Sequence, residues 1–208
     1  MQRSVPSLSA PVPRAARELC CECVYASSMA LTPTIHSFAI ELADIDRGVY
    51  EKFDLRVARQ PSETSPYMIS RVLAYSLEYV EGISLTEGVA SGEEPAVLVR
   101  DLTGRITAWI EVGAPDAERI HRAAKLANRV AIYTHRPIRV VMEQLSGKKI
   151  HRAEDVVIYT FGGGFVEDLA NAIDRRAVLA LTITERQLYL DLDGRTFTTN
   201  IETHRLPV

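Results

Sequence analysis

Three acids stand where their type and spacing could do chemistry: Glu63, Glu94 and Glu111. Glu111 ends the β-branched and aromatic run Ile106–Glu111, which suits a buried strand. Gly113 breaks that run. Pro115 then fits a first helical position, and Asp116 and Glu118 suit the positive end of a helix. An apolar strand therefore delivers an acid to a strand-to-helix junction, where open sheets place ligand sites. Glu94 lies beside Pro95 in a long loop-like stretch, and Glu63 opens a helix. Glu94 and Glu111 could share one Mg²⁺, because hard cations take carboxylate and water oxygens. Such an ion activates water and offsets phosphate charge. Arg119 and Lys125, on the helix after Pro115, could hold the charge that develops in the transition state. Plainer roles exist for each group. Glu111 could be a solvated carboxylate at a strand exit, Glu63 a capping acid matched to the helix dipole, and the cationic helix face simply solvated.

The elements that must position these groups follow from periodicity. Alternation over 34–42 and 49–57 around Asp44–Gly48 predicts a β-hairpin, with His36 on its apolar face as a satisfied buried histidine. Met68, Val72, Leu73, Leu77 and Val80 recur at helical spacing, which predicts a helix from about Ser65 to Glu81. Residues 82–95 read as a loop and 96–99 as a short apolar run. The helix after Pro115 runs to about Asn128 on a buried face of Ile120, Ala123, Ala124 and Ala127. Val130–Tyr133 completes a strand–helix–strand unit of the usual parallel kind. Pro137–Gln144 is ambiguous between helix and strand, and Val156–Tyr159 is a strand. Gly162–Gly164 leads into a helix at Phe165–Ala172. Those glycines lack the Lys-Ser/Thr of a phosphate loop and read as a connector. The segments 178–183, 188–192 and 196–201, with Asp193–Gly194 between the last two, form a β-meander. The fold class is a mixed α/β domain.

Composition narrows the function classes. A net charge of −3 with interspersed signs argues against a tight, sequence-blind grip on nucleic acid, though a local basic groove is compatible with it. No apolar run reaches the length of about 18 residues that a membrane helix needs. All three cysteines (Cys20, Cys21, Cys23) fall in the first 28 residues, so no disulfide framework supports the remainder, and the composition fits a reducing cytoplasm. Residues 1–28 are rich in Ser, Pro, Ala and Arg without periodicity. They read as a disordered or misassigned extension, with Met29 the expected start and 29–208 a single domain.

Several blocks together carry a resemblance: Arg59–Thr64, the helix with Met68, Arg71, Leu73 and Ala74, Glu93–Glu94–Pro95, and Trp109–Asp116. They resemble the YaeQ family of bacterial proteins from about Met29 to the C-terminus, and Met29–Ala30–Leu31 resembles that family's opening. The resemblance implies a PD-(D/E)xK nuclease-like fold, a central mixed sheet with flanking helices. Mapped onto that motif, Glu111 is similar to the Glu of Glu-x-Lys and Glu63 to the helical Glu. Gly113 stands where the lysine belongs, and Ala96 follows Pro95 where the metal-binding acid belongs. Arg119, Arg122 or Lys125 could replace the lysine electrostatically, although an arginine does not transfer protons. Glu94 could replace the missing acid from across the proline.

Three readings follow. The first is a metal-dependent nuclease with Glu63, Glu94 and Glu111 as its acidic site. The second is a catalytically silent nucleic-acid binder that uses the cationic helix after Pro115. The third is a protein-interaction or regulatory module that keeps only the fold.

Overall fold

The structure, a computed structural model, describes residues 32–87 and 93–207. The expectations for residues 1–28, the cysteines and Met29 lie outside the described residues. Strands β1 (Thr34–Asp44) and β2 (Val49–Arg59) form the expected antiparallel hairpin, closed at Gly48, whose φ of +68° favours glycine. Helix α1 (Ser65–Leu77) begins at Thr64, whose hydroxyl accepts the Tyr67 N–H, with Pro66 in its first turn. It stops at Leu77, one turn before the expected Glu81. Val80 is half exposed outside the helix, so the buried apolar stripe ends at Leu77.

The stretch expected to be a loop hides a strand. β3 (Ile83–Leu85) pairs antiparallel with β4 (Val97–Arg100), and Gly82 precedes it at φ +84°, pressed against the Arg100 carbonyl, where a Cβ has no room. Next come β5 (Ile106–Val112), α2 (Ala117–Leu126), β6 (Arg129–Thr134), α3 (Ile138–Leu145), β7 (Val157–Phe161) and α4 (Phe165–Ala172). The ambiguous 137–144 segment is thus a helix, with Val141 and Leu145 buried. Pro115 lies outside α2. Asp116 is the N-cap and its carboxylate accepts the Arg119 N–H at 2.8 Å. β8 (Arg176–Thr184), β9 (Gln187–Leu192) and β10 (Arg195–Arg205) form the meander.

All ten strands join one mixed sheet in the order β2-β1-β8-β9-β10-β7-β6-β5-β4-β3. β10 couples its halves: Arg195–Asn200 pairs with β9 and Ile201–Arg205 with β7. β5, β6 and β7 are parallel neighbours, so β5–α2–β6 and β6–α3–β7 are crossover units. The sheet curls around α1, which packs against β2 and β3 at the two edges as well as β4, β5 and β6. That explains why nine of the helix's 13 residues are buried, Ser70, Arg71 and Ser76 among them. A helix lined on nearly all sides belongs inside a core rather than on it. The inner core joins α1 and α4 to the concave face of the sheet, while the outer core joins α2 and α3 to the backs of β5, β6 and β7. No helix among the described residues is long and apolar enough to cross a membrane.

Candidate functional site at the amino-terminal end of α1

The carboxyl ends of β5 and β6 meet the first turns of α1. Gly113, immediately after β5, donates its N–H to the Tyr133 carbonyl of β6 at 2.8 Å. It sits at φ +86°, and a Cβ there would lie 3.5 Å from the Tyr67 ring of α1. Beyond β6, His135 Nδ1 is 3.1 Å from the Ser70 hydroxyl, itself in α1. Burial lowers the His135 pKa, against the opposing charge of Glu167 at the start of α4.

Two acid–arginine pairs occupy this rim. Glu111 projects from β5 on the same face as Trp109, toward α2, and is 2 % exposed. Its Oε1 accepts the indole N–H of Trp109 at 2.7 Å and Nε of Arg119 at 2.6 Å. The Arg119 guanidinium also donates to the backbone carbonyl of Glu94. Burial raises the Glu111 pKa above the usual carboxylate value even though Arg119 and Trp109 pull it down. On the α1 side, Glu63 is equally hidden. One oxygen accepts Nη1 of Arg71 at 3.1 Å, and the other accepts the Gln60 N–H at 3.2 Å. Arg71 is 1 % exposed. It donates Nη2 to the Thr86 carbonyl and leaves its Nε without a partner. Tyr67 lies within reach of both pairs. Burial, then the Glu111 charge, push its hydroxyl up to about 12, with Arg71 opposing.

Glu63 and Glu111 therefore come to one rim, but each is already bound to an arginine. Glu94 is exposed, and its carbonyl, at least, joins the Arg119 network. Arg119 is at the site as a partner of Glu111. Lys125 is exposed in the last turn of α2 and lies six residues on, a rise of about 9 Å along the helix. Among the described residues no three His, Cys, Asp or Glu side chains converge as a metal-binding group. The donor set does not fit Mg²⁺ as arranged: Glu111 Oε1 carries two donors, and both Glu63 oxygens are taken inside the fold.

Sequence patterns did not point to Arg71, Tyr67, Trp109 Nε1 or His135 as members of this rim. The one available signal was the charge of Arg71 inside an otherwise apolar helix, a residue that needs a buried partner. Glu63 is not the cap, a role that Thr64 fills. His36 is buried at 8 % exposure, as expected, and among the described residues no side chain hydrogen-bonds its ring nitrogens. Burial, then the neighbouring Arg59, hold its pKa below the ordinary value.

A curled mixed sheet around a buried helix, with paired acids at the strand ends, defines the class. The chain belongs to the YaeQ family: the family model, described as YaeQ protein, matches residues 29–201. It is 32% identical over 181 residues to "Uncharacterized protein YaeQ" of Escherichia coli (strain K12), covering 86% of this chain and 99% of that protein. The crystal structure of YaeQ protein from Pseudomonas syringae superposes with a TM-score of 0.75 at 29% identity, over 82% of this chain and 95% of that one. The YaeQ structure from Xanthomonas axonopodis pv. citri, at 22% identity and a TM-score of 0.72 over 85% and 100% of the two chains, shares the fold.

Proposed function

We propose that the chain is a nucleic-acid-binding protein on a PD-(D/E)xK nuclease-like scaffold, without phosphodiester cleavage. Its rim acids serve as partners of arginines, and α2 supplies the phosphate contacts. One contrast carries the reading. Glu63 and Glu111 are buried against Arg71 and Arg119, whereas Arg122 and Lys125, on the outer face of α2, are exposed and make no hydrogen bond or ion pair among the described residues. Glu118 shares that face and pairs with neither. A carboxylate holding a guanidinium at 2.6 Å is a poor ligand for Mg²⁺, which binds through few protein groups and dehydrates reluctantly. Two unpaired exposed cations on one helix face suit sequence-independent contact with phosphates, which is salt-sensitive because each contact releases counterions.

The test is fluorescence anisotropy of labelled DNA and RNA oligomers across 50–200 mM salt, beside a nicking assay with Mg²⁺ and Mn²⁺. We expect binding whose log–log salt slope falls by about 2 in the double variant Arg122→Glu/Lys125→Glu. We also expect no cleavage. Cleavage that is lost in Glu111→Ala returns the nuclease reading. Absent or salt-insensitive binding removes the nucleic-acid reading.

A further inference from the structure

At the other end of α1 the fold opens a pocket of about 200 Å³. It lies between the β1–β2 turn, the α1 C-cap, β6, β7 and the β8–β9 turn. Arg47, Arg129 and Arg186 stand around it with Tyr133 and Tyr159, whose rings stack at 4.8 Å, and Leu77 contributes an apolar wall.

The acids of the pocket are fully committed. Both oxygens of Asp44 accept from Arg47, from its N–H at 3.1 Å and its Nε at 2.5 Å. Asp46 accepts the N–H groups of Glu185 and Arg186 at 2.7 and 2.8 Å. Glu78 accepts both terminal nitrogens of Arg129 and, at 2.7 Å, the Tyr133 hydroxyl. Every carboxylate oxygen therefore holds at least one donor. Donors remain in surplus. Among the described residues Arg186 uses only Nη2, on Thr203. Arg47 uses Nε and Nη1, the latter on the Tyr79 carbonyl. The Tyr159 hydroxyl accepts from Arg129 and has no acceptor of its own among the described residues.

The loop that presents Arg186 is held in an unfavourable conformation. Glu185 and Arg186 have φ of +50° and +62°, the left-handed region that non-glycine residues avoid. The Asp46 carboxylate clamps both of their N–H groups from a turn about 140 positions away in the chain. Glu185 and Arg186 are the central residues of the two-residue β8–β9 hairpin turn, a geometry that requires positive φ at each, and the clamp fixes where Arg186 stands on the pocket wall.

We propose that this pocket binds a small oxyanion, a phosphate or short-chain carboxylate group, through Arg186, Arg47 and the Tyr159 hydroxyl. Its volume lies below that of typical drug-sized sites, which limits the ligand to a small acid or one acidic end of a larger molecule. Arginine suits the task because its planar fork meets carboxylate and phosphate oxygens in pairs.

The experiment is a thermal-shift and calorimetric titration of the full chain with inorganic phosphate and, separately, with acetate and propionate, each against sodium chloride at matched ionic strength. The variant is Arg186→Gly, which removes the donor and relaxes the turn, so its Tm stays equal or rises and loss of folding cannot mimic loss of binding. We expect saturable binding of at least one acid by the wild type and at least tenfold weaker binding by Arg186→Gly. A response to phosphate alone identifies a phosphoryl ligand, and one to the carboxylates alone a small carboxylic acid. No response beyond chloride, or an equal response in the variant, overturns the proposal. Arg122→Glu/Lys125→Glu leaves this response unchanged, which separates the pocket from the α2 surface.

Discussion

The two ends of α1 both carry arginine, glutamate and tyrosine, yet they use them in opposite ways. At the amino-terminal end Arg71 is 1 % exposed and Glu63 is 5 % exposed. At the carboxyl-terminal end the Arg129 and Glu78 side chains are 39 % and 12 % exposed and face a pocket. Burial pulls the Arg129 pKa down, but the hydrogen bonds and charge of Glu78 outweigh it. The difference is one of dielectric. Charges shut inside the curl must satisfy one another, and breaking such a pair leaves an uncompensated ion. At the wet mouth Arg129 and Glu78 also satisfy one another, but Arg186 and Arg47 beside them keep donors for a visitor. One polar vocabulary thus serves cohesion at one end and recognition at the other.

The sharpest way to break this comparison is to remove both arginines separately. Arg71→Ala strands the Glu63 carboxylate in the core, and we expect a loss of about 3–5 kcal/mol of stability in urea unfolding. Arg129→Ala leaves Glu78 with the Tyr133 hydroxyl and with access to water, so about 1–3 kcal/mol is expected. Equal losses would mean that the two ends are alike.

Gly113 sharpens the amino-terminal side. Its φ of +86° and the nearby Tyr67 ring make Gly113→Ala a conformational penalty rather than a lost contact. A cost of about 1–2 kcal/mol is expected, with the largest NMR shifts at Tyr67 and Glu111. A neutral substitution would show that the β5–α2 junction is loose and that the Glu111–Arg119 pair does not depend on it.

Local pattern reveals some of this architecture and hides the rest. The β1–β2 hairpin, α4 and the meander were legible because period and turn residues are local properties. β3 was hidden because three residues among Gly82, Gly88 and Gly92 make no periodic signal; it forms only when β4 is beside it. The pairing of β1 with β8 bridges some 140 positions and leaves no local trace. The same limit governs the site. Glu63 and Glu111 could be singled out from their positions, but Arg71 counts as a partner only once the sheet has closed around α1. Lys125 is a charge near Glu111 in sequence, whereas helical rise carries it to the far end of α2.

His36 offers a pH-resolved version of the comparison, because it is a buried titratable group with no side-chain hydrogen-bond partner among the described residues. Its pKa is lowered in the folded state, by burial first and then by Arg59, while the Asp174 backbone and, less, Glu63 oppose. Below the ordinary histidine value of about 6.5 the unfolded chain takes up a proton that the folded chain refuses. Stability contributed by the neutral ring is therefore present above that pH and lost as pH falls, with a slope of at most about 1.4 kcal/mol per pH unit for one proton. Glu111 acts with the opposite sign. Its raised pKa makes stability fall as pH rises from about 4.5 through its folded value. The difference in stability between wild type and His36→Leu, followed from pH 7.5 to 5 by urea unfolding, isolates the histidine. We expect the variant to gain on the wild type as pH drops. A constant difference would place a hydrogen-bonding water or a charged partner at that ring.

The smallest effect is expected at Arg186, and it tests whether the pocket end is shaped for binding rather than for stability. Removing a strained left-handed residue relieves about 1–2 kcal/mol, and glycine's greater freedom in the unfolded chain returns about half of that. The net change for Arg186→Gly is thus near zero to slightly stabilising, read as a Tm equal to or a degree or two above wild type. Ordinary loss of a structural residue moves Tm down. A lower Tm would make Arg186 a brace for the β8–β9 turn through Thr203, and the two ends of α1 would then share one purpose. A Tm that holds or rises while oxyanion binding disappears would mean that arginine, rather than the glycine this hairpin turn prefers, stands at 186 for the sake of what it holds.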